Sequence, residues 1–181
     1  MSVRKGRAAA DSEAELGASM PGCPRLLKEY KELRSAAKPD PEIELDLTDE
    51  SDIFKWSARL LGPVGSPYEG GHFELKIICA PTYPLAPPKV TFVTPVFHPN
   101  VLYTTGEICL DILKPDAWTP AWTLQSVCRA VAALLSHPEA DSPLNCDCGN
   151  LIRSGDMRGY KSMASMYTAL HAGSGGSSSS S

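Results

Sequence analysis

Apolar residues recur along this chain with two periods. After Pro24, which suits a first helical position, the segment RLLKEYKELRSA carries Leu26, Leu27, Tyr30 and Leu33 on one face at helical spacing. Three extended segments follow: EIELDL from 42, IFKWSARLLG from 53 and GHFELKIIC from 71. The first and third alternate apolar and polar as half-buried strands do, and Gly62-Pro63 and Pro67 through Gly71 mark turns between the last two. KVTFV from 89 predicts a fourth strand beyond PTYPLAPP, giving an antiparallel meander. From Phe97 to Pro120 neither period holds and turn-forming dipeptides are frequent, so this stretch is expected to be a long ordered loop, where chemistry tends to reside.

Downstream, Thr123 is placed to cap a helix LQSVCRAVAALL with Leu124, Val127, Cys128, Val131, Leu134 and Leu135 on a wide apolar face. That helix should stop before His137-Pro138. A last amphipathic helix is expected over 156–171, with Tyr160, Met163, Tyr167 and Leu170 on one side. Strands followed by helices predict an α+β fold. Residues 1–21 are rich in Ala, Ser and charge, and 173–181 are Gly and Ser only. Both compositions bury too little apolar surface to offset ordering entropy, so the expected domain spans 22–172 with mobile extensions on either side.

Composition narrows the function. The 17 Lys and Arg against 21 Asp and Glu give a formal charge of −4, the wrong sign for life on a phosphate backbone. Nucleic acid is thereby a poor partner. With no apolar run of membrane-spanning length and no signal-like leader, a cytoplasmic protein is expected. The six cysteines, Cys23, Cys79, Cys109, Cys128, Cys146 and Cys148, do not form the framework of a small secreted scaffold. Cys146-x-Cys148 near His137 lacks the usual zinc spacing, and no second pair completes four ligands. No metal is expected.

Cys109 stands in the irregular stretch, within Gly106-Glu107-Ile108-Cys109-Leu110-Asp111-Ile112-Leu113 and downstream of His98-Pro99-Asn100. Only an approachable thiolate can accept an acyl group, and a cysteine flanked by Ile108 and Leu110 could equally be an inert core thiol. What separates the two is the ordered set Tyr83-Pro84-x-x-Pro87-Pro88, His98-Pro99-Asn100, Cys109-Leu110-Asp111-Ile112-Leu113, Trp118-Thr119-Pro120-Ala121 and Pro138 through Pro143-Leu144. With this set the chain resembles ubiquitin-conjugating enzymes over some 145 residues. The resemblance implies their fold: an N-terminal helix, a four-stranded meander, an active-site loop and C-terminal helices. It implies that Cys109 takes the C-terminal glycine of ubiquitin from an activating enzyme as a thioester and passes it to an amine, with ATP used by the activating enzyme and no cofactor on this chain.

The resemblance also assigns roles. Asn100 is the amide placed near the oxyanion, or else a brace for the loop. An attacking lysine is mostly protonated at neutral pH, and the family orients and desolvates it with an acid or hydroxyl in the loop after the second helix, here Asp141 or Ser142. His98, Pro99, Asp111 and Trp118 are structural around the site. Leu85, Pro120 and Ala121 would be apolar anchors for the activating enzyme and a RING-type ligase, with Arg25, Lys28 and Lys31 as the basic side. Within the family, Leu27 through Glu32, Ile53-Phe54-Lys55-Trp56, the run Trp118 through Arg129 and Asp141 through Cys146 are similar to plant-type members of the peroxisomal-import branch. That branch is recruited to the cytosolic face of peroxisomes by a membrane anchor protein and modifies a cycling receptor on lysine or cysteine. Two segments, Asn100–Cys109 and Leu113–Trp118, are each one residue longer than in the commonest conjugating enzymes. The alternatives are a catalytically silent ubiquitin-binding module, a conjugating enzyme for another ubiquitin-like modifier, and a cysteine hydrolase using His98.

Overall fold

The computed structural model describes residues 23–173. The two low-complexity extensions lie outside the described residues, apart from Gly173. Helix α1 (Pro24–Ser35) begins with Pro24 in its first turn. Strands β1 (Ile43–Leu47), β2 (Lys55–Leu61), β3 (His72–Ile78) and β4 (Lys89–Phe92) then form one antiparallel sheet in sequential order. A 3₁₀ turn (Asp111–Leu113) follows, then helices α2 (Leu124–Ser136), α3 (Cys146–Arg153) and α4 (Met157–His171).

The period-two pattern fixes the register. Trp56 faces Ile77, Ala58 faces Leu75 and Leu60 faces Phe73 across β2 and β3, while Ile77 and Leu75 face Val90 and Phe92 of β4. All eight are buried. A slip of one residue would turn this entire set to solvent, so the core itself enforces the pairing. Strand β2 starts at Lys55, later than the sequence suggests, because the Asp52 carboxylate accepts from the Phe54 amide and closes a turn first. Its outer face is charged, with Arg59 3.5 Å from Glu44.

Against the inner face packs α2, whose six predicted apolar residues are all buried. Each such Val or Leu contributes roughly 1.5–3 kcal/mol on burial. Thr123 caps it as expected, within a reciprocal box with Ser126. Helix α4 buries Tyr160, Ala164 and Thr168, a stripe rotated from the predicted one, and leaves Leu170 68% exposed. The Tyr68 hydroxyl donates to the Phe97 carbonyl at 2.7 Å and lies 2.9 Å from the Tyr160 hydroxyl. That chain of bonds ties α4 to the segment entering the active-site loop. Helix α3 has no apolar period to announce it; Asn145 caps it by accepting from the Cys148 amide, and Cys148 and Gly149 are its buried residues.

Candidate active site

The stretch 97–120 is a built loop. Leu102 donates to the Glu107 carbonyl and Gly106 to that of Leu102, each at 2.8 Å, and Val101 bridges Ile108. This small hairpin needs Gly106 for two reasons: its φ is +70°, and a Cβ there would lie 1.9 Å from the Phe92 carbonyl oxygen. With Val101 and Ile108 buried as its feet, the hairpin delivers the half-buried Cys109 to the surface. The Cys109 amide donates to the Asn100 carbonyl at 2.8 Å.

The triplet His98-Pro99-Asn100 is the joint of the site. His98 is fully buried; its Nδ1 accepts from the Asn100 amide at 3.1 Å, so Nε2 carries the proton and donates to the Leu134 carbonyl at 3.0 Å. Burial pushes the imidazole pKa down to about 4. With both nitrogens used inside the fold and the ring uncharged at neutral pH, His98 is placed as a brace and not as a base for a hydrolase. The Pro99 carbonyl accepts from the Leu144 and Asn145 amides at 2.8 and 3.1 Å. Asn100 is 3% exposed, and its side chain grips Glu139 twice: Nδ2 donates to the Glu139 carbonyl and Oδ1 accepts from its amide, both at 2.9 Å. One Nδ2 hydrogen is left over from that pair. Asp141 and Ser142 are exposed on the loop so held. Asn100 is therefore bonded both to Cys109 and to the start of the 137–145 loop, whose far end is held by Pro99.

On the other flank, exposed Asp111 pairs with Lys114 at 2.6 Å and holds the ammonium above its ordinary pKa, with the Cys109 sulfur adding in the same direction. Trp118 is buried and its Nε1 donates to the Pro84 carbonyl at 2.7 Å, which joins the two loops carrying Leu85, Pro120 and Ala121. All three of those residues are exposed, Leu85 at 79%. The basic residues divide: Lys28 and Lys31 are exposed, whereas Arg25 turns inward, its Nε 2.7 Å from Glu29 and its Nη2 donating to the Trp122 carbonyl at 3.0 Å. Glu29 was not singled out from sequence. Its position three residues after Leu26, on the apolar stripe of α1, is the signal that it would be buried and paired.

The family model for ubiquitin-conjugating enzymes matches residues 25–168. The chain belongs to the ubiquitin-conjugating enzyme family. It is 62% identical over 148 residues to protein PEROXIN-4 of Arabidopsis thaliana, covering 82% of this chain and 93% of that one. It is 56% identical over 147 residues to the ubiquitin-conjugating enzyme E2 pex4 of Dictyostelium discoideum, covering 81% and 97%. Among solved structures it superposes on the H. polymorpha ubiquitin-conjugating enzyme Pex4p, crystallised in complex with the soluble domain of Pex22p. That match has a TM-score of 0.75 and 39% identity, over 83% of this chain and 97% of that one. A putative ubiquitin-conjugating enzyme from Plasmodium yoelii gives 0.76 and 37%, over 85% and 97%. The α+β fold expected from the sequence is the family's fold. The chain is thus a ubiquitin-conjugating enzyme, similar to relatives that carry the peroxin name.

Proposed function

We propose that Cys109 is the acceptor cysteine of this conjugating enzyme and carries ubiquitin as a thioester. The observation that supports this best is its place: it is the one cysteine both part-exposed and set on the rigid hairpin bonded to Asn100. The Cys109 thiolate attacks the thioester carbonyl on the activating enzyme; the new C–S bond forms as the old one breaks, and no ATP is consumed on this chain. A substrate amine then attacks the same carbonyl, the Cys109 sulfur leaves, and the amine's proton passes to solvent or to the loop acid. Asn100 holds the 137–145 loop against the site, and its remaining Nδ2 hydrogen is the donor for the transient oxyanion. Asp141 and Ser142 flank the arriving amine and orient it.

Leu85, Pro120 and Ala121, with Lys28 and Lys31 beside them, form the surface for the activating enzyme and a RING-type ligase. Because the relatives are named peroxins and one is solved with the soluble domain of Pex22p, the enzyme acts at the cytosolic face of peroxisomes through a membrane anchor partner. Among the described residues no helix is long and apolar enough to cross a membrane, which fits recruitment by a partner.

Incubation with ubiquitin-activating enzyme, ubiquitin and Mg-ATP, followed by nonreducing electrophoresis, tests the acceptor role. The native chain should give a thiol-sensitive band heavier by one ubiquitin and Cys109→Ala should not. The same band in Cys109→Ala would sink the assignment.

A further inference from the structure

A carboxylate buried to 4% exposure lies under the surface just described. Glu29 Oε1 accepts from Arg25 Nε at 2.7 Å and from the Tyr83 hydroxyl at 2.8 Å, while Oε2 accepts from the Leu124 amide at 2.7 Å. Those donors stand on three separate elements: α1 itself, the Pro-rich loop that presents Leu85, and the first turn of α2, immediately after the loop that presents Pro120 and Ala121. Arg25 adds a fourth bond, from Nη2 to the Trp122 carbonyl at 3.0 Å. The charge is offset by the Arg25 guanidinium and by the positive end of α2, where unsatisfied amides collect. Trp118 links the two loops only to each other; the Cys23 thiol at the cap of α1 donates to the Tyr83 carbonyl on one side and Arg25 to Trp122 on the other, and Glu29 is bonded to both sides at once.

We propose that Glu29 is a positioning residue for partner docking: its carboxylate sets the spacing between α1, Leu85 and the Pro120-Ala121 loop that the activating enzyme reads as one surface. This rests on the docking role given to that surface above. A buried carboxylate is a costly way to hold a core together, since an apolar residue of the same size would avoid desolvating a charge. It is better suited to fixing a geometry, because three directed bonds allow one arrangement where apolar packing allows several.

Glu29→Gln keeps the shape and leaves at least one of the three donors without an acceptor. With ubiquitin-activating enzyme held catalytic and this chain varied as its substrate, Glu29→Gln should raise KM roughly threefold to tenfold, the effect of one lost buried bond, with little change in kcat. Discharge of preformed thioester onto free lysine, which requires no docked partner, should stay within about twofold of native on the same reasoning. Thr168→Val, which removes a buried bond internal to α4, serves as the stability control and should leave KM unaltered. Should Glu29→Gln fail to fold, Tyr83→Phe removes one donor while keeping the charge and should still raise KM. An unchanged KM in the folded variants, or an equal rise in Thr168→Val, overturns the positioning role. A native chain that takes up no ubiquitin overturns the broader functional reading instead.

Discussion

Single residues in this molecule do work that their type alone does not announce. His98 is the clearest case, because its ring is neutral in the fold, with a pKa of about 4 against 6.5 in the unfolded chain. The folded state therefore binds fewer protons than the unfolded state between those values, and stability falls as pH drops below about 6.5. Acidification from pH 7 to pH 5 should remove about 2 kcal/mol through this ring, measurable as a shift in denaturant midpoint. His98→Gln can keep a donor for Leu134 but has no titrating group, so this component should vanish from its pH profile. Asn100 offers a second measurement. Asn100→Ala releases Glu139 and removes the donor proposed for the oxyanion, and on that proposal thioester discharge to lysine should slow by about 10²–10³. Charging of Cys109 by the activating enzyme should fall much less, because the activating enzyme brings its own catalytic groups to that step; an equal loss in both would show Asn100 to be only a loop brace.

Elements fared unequally when read from sequence, and the reason lies in how each earns its stability. The strands and α2 were legible because burial enforces a period: Phe73, Leu75 and Ile77 alternate, and Leu124 through Leu135 form one face with Thr123 as its cap. Removing that cap in Thr123→Ala should cost about 1 kcal/mol in equilibrium unfolding. Helix α3 was missed because Cys-Asp-Cys-Gly-Asn is poor in helix formers. It forms where Asn145 caps it and where Pro143 packs on Gly149, a Cβ at which would meet the Pro143 ring at 2.5 Å. The site showed the same division. Its motifs brought Cys109 and Asn100 forward as candidates, but the grip on Glu139 joins residues 39 apart, and no local pattern encodes a backbone partner that distant. The hairpin before Cys109 gives a sharper element-scale test. Gly65 and Gly106 both have positive φ, yet only Gly106 lies against backbone. Gly65→Ala should cost about 1 kcal/mol from strain alone, whereas Gly106→Ala should exceed it clearly and also slow thioester formation, because the hairpin that carries Cys109 must shift.

At the scale of the whole molecule, the sheet and the site are assembled from the chain in different ways. Strands adjacent in sequence are adjacent in the sheet, so β1 to β4 can pair as soon as residue 92 is available. The site has no such economy: His98 needs Leu134, Pro99 needs Leu144 and Asn145, and Asn100 needs Glu139. Tyr68, which anchors the loop's entry through Phe97, reaches as far as Tyr160. Contacts between distant residues close late, after the loop entropy between them has been spent. On a ribosome, which releases the chain from its N-terminal end, the sheet can be complete while the thiol at 109 still lacks its surroundings. The bonds that surround that thiol are complete only once the chain has emerged as far as Tyr160, so the last part of the molecule to be made is also the part that finishes the site.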